Sequence, residues 1–185
     1  MREIEPVCWR RFRSEGEVWI QLERITLYEL AEICFLGSAR ADTTACREHW
    51  SPDDPAHGHC AAAALVVQDI FGGTILRASL ETMPERYRHM RSHYWNLLPR
   101  KAGLRAGPEE PAQKNCVDIE IDITAAQFYG QDRDLVPAGE LRTRDYLLGN
   151  TDTARRYLLL RKRMEKVEYW GELFLGNHHK DDEMI

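Results

Sequence analysis

Cys60 follows the run Pro55-Ala56-His57-Gly58-His59 and opens an apolar segment, Ala61 to Val67. At the start of a helix the unpaired backbone N–H groups and the positive end of the dipole favour a thiolate, the form that attacks a carbonyl. A cysteine nucleophile also needs a base, usually His, and a third group that orients the base. His93 opens an apolar strand further along, and Asp122 lies near the end of the next recognisable strand. Each residue also has a plainer reading. Cys60 fits as a small buried hydrophobe, His93 as a strand histidine with satisfied ring nitrogens, and Asp122 as a solvent-facing partner of Asp118 and Glu120.

The elements that must position these residues are legible from periodicity. Thr26-Leu27-Tyr28-Glu29 matches a capping box, and Leu27, Leu30, Ala31, Cys34 and Phe35 share one helical face that Gly37 is placed to end. The segment Ala41 to His59, with Pro52, Pro55 and Gly58, reads as loop. The stretch from Cys60 to Asp69 is apolar around nearly its whole circumference, so a helix there must be covered on most sides. Gly72-Gly73 ends it, and Thr74-Ile75-Leu76 restarts as a strand.

Two more strands follow with period two. His93, Trp95 and Leu97 share one face of the first, and Val117, Ile119, Ile121 and Ile123 one face of the second. That alternation turns Asp122 away from the Ile face, which separates it from His93 unless a bulge or a strand end intervenes. Pro99 to Asn115 reads as an exposed loop and, with Glu81 to Ser92, as a wall of a cleft. Asp152 or Thr153 is placed to cap a last helix with Tyr157, Leu160, Met164 and Val167 on one stripe. The expected organisation is an N-terminal extension over 1–25 with no assignment, one α+β domain over 26–170, and a polar C-terminal tail over 171–185.

Composition narrows the class. The chain has 185 residues, 43% of them hydrophobic, and a net charge of −5, enough for one ordinary core and nothing strongly basic. No apolar run approaches the roughly 20 residues that span a bilayer. Met1-Arg2-Glu3-Ile4-Glu5 does not read as a secretory signal, so a reducing cytoplasm is expected. The cysteines, Cys8, Cys34, Cys46, Cys60 and Cys116, form no C-x-x-C pair and suggest neither a disulfide framework nor a zinc ribbon.

Three separated motifs carry a resemblance. Gly58-His59-Cys60-Ala61-Ala62-Ala63-Ala64-Leu65-Val66-Val67-Gln68-Asp69-Ile70-Phe71-Gly72-Gly73, then His93-Tyr94-Trp95-Asn96-Leu97-Leu98, then Ile121-Asp122-Ile123-Thr124-Ala125-Ala126-Gln127-Phe128, resemble the YunG family of small bacterial proteins. Asp42-Thr43, Trp50 and Arg156-Tyr157-Leu158-Leu159-Leu160 extend the likeness over roughly Thr26 to Val167. The resemblance implies a Cys–His–Asp constellation on a papain-like core: a helix opened by Cys60, packed on a small antiparallel sheet, with flanking helices. The family pattern commonly has Gln at the position of His59, so the backbone N–H of Cys60 is the expected oxyanion donor.

The expected function is a cysteine hydrolase or acyltransferase acting on an amide, thioester or isopeptide-type bond of a protein, peptide or small acyl substrate. Cys60, His93 and Asp122 are the catalytic candidates, and His59, Trp95, Asn96 and Gln127 line the site. No cofactor is implied, nor any resident metal. Two alternatives stand beside this reading. One is a non-catalytic binding or partner protein on the same fold. The other is a metal site drawn from His57, His59, Cys60, His93 and Asp122, whose spacing is not a common zinc pattern. A nucleic-acid role for Arg155, Arg156, Arg161, Lys162, Arg163 and Lys166 is disfavoured, because a basic stripe opposite an apolar one is ordinarily a solvated helix face.

Overall fold

A computed structural model describes residues 9–14, 16–21, 27–98 and 118–167, with backbone alone up to residue 30. The expectations for Cys8, for Cys116, for the loop Pro99 to Asn115 and for the tail 171–185 lie outside the described residues.

The first described element is a hairpin, β1 (Trp9–Ser14) and β2 (Gly16–Gln21), which pair with each other and, among the described residues, with no other strand. Helix α1 (Leu27–Ser38) runs one residue past Gly37 and buries Ala31, Cys34 and Phe35 completely. Helix α2 spans Cys60–Phe71, with Ala62 to Val67 and Ile70 all buried. Four alanines at its start let neighbours approach from every side. It packs on the sheet through one face and on the terminal helix through another.

The sheet has four antiparallel strands in the order β5-β4-β3-β6: β3 is Thr74–Ser79, β4 Ser92–Leu98, β5 Ile119–Ile121 and β6 Glu140–Arg142. A single turn, α3 (Glu85–Arg88), joins β3 to β4, and α4 (Arg144–Leu148) leads from β6 to α5 (Thr151–Met164). Asn150 caps α5, its side-chain oxygen accepting from Thr153 N–H at 2.9 Å, so the cap falls just ahead of the two expected positions.

The two faces of the sheet are covered differently. Ile75 and Ile121, flanked by Tyr94, Leu98 and Ile119, meet α2 and the α5 stripe of Tyr157, Leu160 and Met164 in the main core. Leu76, Ala78 and Trp95 turn to the other side, where Val136 of the segment after β5 covers them. This is a mixed α+β fold in which helices take one face of the sheet and irregular chain takes the other. None of the described helices is long and apolar enough to cross a membrane.

The strand expected over Val117 to Thr124 is described only as Ile119–Ile121, and its end has a local cause. Asp122 Oδ1 accepts from the Thr124 N–H at 3.1 Å and from the Thr124 hydroxyl at 2.9 Å. That side-chain-to-backbone turn competes with the sheet ladder, and the chain enters a 3-10 turn at Ala125–Gln127.

Candidate active site

The site is assembled where α2 begins, β4 begins and β5 ends. Cys60 is the first residue of α2, and His59 before it gives no side-chain cap to the helix. The Cys60 thiol points along the start of β4, with Sγ 3.7 Å from the Ser92 carbonyl oxygen. His93, the next residue, is fully buried.

His93 Nε2 lies 2.7 Å from Asp122 Oδ2. A carboxylate on Nε2 fixes the proton there and leaves Nδ1 as the face that exchanges protons. The Gln127 amide nitrogen sits 3.1 Å from that Nδ1. The Cys60 sulfur is near enough to favour the charged form of the same imidazole. The ring is held by Trp95, stacked at 5.4 Å between centroids, and by Phe128, edge-on at 4.8 Å. Both rings cover the imidazole.

Asp122 meets His93 without any bulge. Alternation does turn Asp122 away from α2, but His93 and Trp95 turn away from α2 as well, and β4 and β5 are neighbours in register Asn96↔Ile121. The covered far face of the sheet is therefore where base and carboxylate meet. Asp122 accepts further from Arg133 Nε at 2.8 Å, and the Arg133 guanidinium lies 4.9 Å over the Trp95 ring. Thr124 and Arg133 were not among the candidates; both come from irregular chain that has no period to read.

Burial pulls the His93 pKa down. The Asp122 carboxylate, by charge and hydrogen bond, and the Cys60 sulfur, in the same two ways, outweigh it and hold His93 at about 9. Burial likewise pushes the Asp122 carboxyl up, but the charge and hydrogen bond of His93, with Arg133 and Thr124 behind them, bring it below the ordinary aspartate value. The two shifts describe one pair that is ionised together.

A cavity of about 460 Å³ opens on Cys60, with Ser92, Tyr94, Cys46, Tyr146 and Arg156 in its walls. Of the three catalytic candidates Cys60 alone lines it; His93 and Asp122 stand behind the sulfur. Met90 and Ser92 in its lining come from the segment expected as a cleft wall. Arg156 is 4% exposed and holds Asp152 and Thr153 through Nε and Nη2, while Nη1 has no partner among the described atoms.

Two expected site-lining residues sit elsewhere. His59 is buried with its ring edge-on to Phe35, Nε2 2.8 Å from the Thr43 hydroxyl and Nδ1 3.1 Å from the His57 carbonyl. Burial drives its pKa down to about 4, so it is a neutral core histidine. Asn96 faces α2, where its amide donates to the Ala64 carbonyl at 3.0 Å and pins helix to strand. Nor do the five residues of the metal alternative converge. Among the described residues the one group of Cys, His and carboxylate atoms close enough to share an ion is Cys46, His57 and His89. The basic stripe of α5 is paired as well: Arg155 and Arg156 with Asp152, Arg161 with Glu165 and Asp69, Arg163 with Asp42.

The Trp95 wall depends on a glycine. A Cβ on Gly139 would lie 2.7 Å from two atoms of the Trp95 ring and 2.8 Å from Leu76 Cβ. Gly139→Ala is expected to cost about 1–3 kcal/mol by overpacking, seen as a lower urea midpoint at unchanged slope.

No curated protein and no solved structure matches the chain. Residues 29–104 match the family model described as YunG protein, a stretch that holds Cys60 and His93 and stops before Asp122. Over that stretch the chain is similar to the YunG family.

Proposed function

We propose that this protein is a thiol hydrolase or acyltransferase with a papain-like order of parts: nucleophile at a helix start, base at a strand start, carboxylate at the end of the neighbouring strand. The observation that carries the reading is the His93 ring, 2.7 Å from Asp122 through Nε2 and next in the chain to Ser92, whose carbonyl meets the Cys60 sulfur at 3.7 Å.

In this reading Cys60 Sγ attacks the carbonyl carbon of an amide, thioester or isopeptide-type bond. His93 Nδ1 takes the thiol proton, and the backbone N–H of Cys60 at the uncapped helix start faces the oxyanion. Collapse of the tetrahedral adduct breaks the bond to the leaving group, which receives the proton from His93, and leaves an S-acyl Cys60. Water or an acceptor amine or thiol then gives its proton to His93, attacks the thioester and restores the free sulfur. Asp122 keeps Nε2 protonated throughout and stabilises the imidazolium. Cys34, Cys46 and Cys60 are free thiols, which suits a reducing compartment such as the cytoplasm.

The test is acylation by p-nitrophenyl acetate followed by intact-mass and peptide mapping. One acetyl group on Cys60 in the wild type, absent from a folded Cys60→Ala variant, is the expected result. Acetylation spread over Cys34 and Cys46 as readily as over Cys60 would refute it.

A further inference from the structure

Beside the Cys60 cavity, and sharing Cys46 with its wall, lies a second cluster that the acyl-transfer reading leaves unused. Cys46 Sγ and one ring nitrogen each from His57 and His89 lie within 4.8 Å of one another. Tetrahedral zinc with bonds of about 2.0–2.1 Å to nitrogen and 2.3 Å to sulfur holds its ligand atoms about 3.3–3.7 Å apart, so small side-chain rotations close the set.

The hydrogen bonds around the two imidazoles point the same way. His57 Nδ1 stands 3.3 Å from the Asp54 carboxylate. The His89 ring meets His57 through Nε2, 2.9 Å from His57 Nε2. That is the length of a hydrogen bond in which one proton bridges the two rings, and a metal ion would take the place of that proton. A carboxylate or carbonyl on the far nitrogen is the partner that metal-bound histidines ordinarily have.

The third ligand is positioned by backbone that tolerates no substitution. Gly58 has φ +69°, and a Cβ there would lie 2.5 Å from Thr44 Oγ1 and 2.9 Å from Cys46 Cβ. Thr44 Oγ1 in turn donates to the His57 carbonyl at 2.6 Å and accepts from Cys46 N–H at 3.0 Å. The loop thus brings Cys46 and His57 together before any ion is added.

We propose that Cys46, His57 and His89 bind one Zn²⁺ beside the Cys60 cavity, with water as the fourth ligand. Binding exchanges the Cys46 S–H bond for a Zn–S bond and releases one proton to solvent. The ion ties the loop before α2 to the end of α3, the two segments that flank the sulfur, and its role is structural. This inference does not rest on the acyl-transfer reading.

The test uses the full chain, stripped with chelator and reloaded with Zn²⁺ or Co²⁺, with metal measured by mass spectrometry after desalting. One equivalent of zinc, a rise of several degrees in melting temperature, and a thiolate-to-cobalt charge-transfer band are expected. Cys46→Ser and His89→Ala should each lose the band and at least tenfold in zinc affinity. Circular dichroism in chelator checks that they fold like the stripped wild type. Cys60→Ser should keep full zinc. Less than half an equivalent in the reloaded wild type, zinc retained in the Cys46→Ser, His89→Ala double variant, or zinc lost in Cys60→Ser would each overturn the assignment.

Discussion

Single-turnover acylation of Cys60 is expected to fall about 10²–10⁴-fold in His93→Ala, the range that loss of a positioned general base spans. The expectation rests on the burial of His93 and on its place between Cys60 and Asp122, where no other described titratable side chain is shown contacting the ring. His59 is turned to Thr43 and the His57 carbonyl, so it cannot substitute. Removing the imidazole also leaves Asp122 with Thr124 and Arg133 as donors, which limits the damage to folding. His93→Gln supplies the control for volume, since its amide can still donate to Asp122 but cannot accept the thiol proton. Both variants should fail alike. Both also lose the His93–Asp122 pair and melt below the wild type, so circular dichroism at the assay temperature checks that they are folded. Added imidazole should restore part of the rate in the alanine variant alone. Full acylation rates in both would sink the assignment of His93 as the base.

The legible parts of this site are those with a period or a breaker. Pro55, Gly58 and the alanine run after Cys60 mark the start of α2 at the residue where the helix begins. Gly72-Gly73 and the alternation of His93, Trp95 and Leu97 place β3 and β4. Asp122 was harder, because alternation tells which residues share a face but not which face of a sheet the helix covers. The missing information was that His93 points away from α2. Arg133 sits in a 3-10 turn and Thr124 in a side-chain turn, too short for any repeat. Cys46, His57 and His89 belong to loops and a single-turn helix that meet only because β3 and β4 form a hairpin. Tertiary contact of that kind leaves no local pattern.

Asp122→Asn is expected to destabilise the protein by up to about 3 kcal/mol near pH 6, since His93 moves from about 9 in the fold to the ordinary 6.5 when unfolded, at about 1.4 kcal/mol per unit, with Cys60 supplying part of that rise. The sign differs on the two sides of the pair. A raised histidine stabilises the fold fully below 6.5 and loses that contribution as pH rises through 9. A lowered aspartate stabilises it above its ordinary 3.8 and loses that contribution as pH falls through the depressed value. The gap between wild type and variant should therefore be widest between about pH 4 and 6.5 and close toward pH 9 and in strong acid. Urea midpoints at stepped pH values measure it. The same variant should move the alkaline limb of the acylation profile down from near 9, because the Asp122 charge no longer opposes burial and the Cys60 sulfur is left to do so alone. Asparagine keeps the volume but has one acceptor oxygen where Asp122 uses two, Oδ1 for Thr124 and Oδ2 for His93 and Arg133, so the charge and one of those two sets of hydrogen bonds are lost together. A constant stability difference across pH, with an unmoved alkaline limb, would mean that Asp122 holds His93 in place by shape alone.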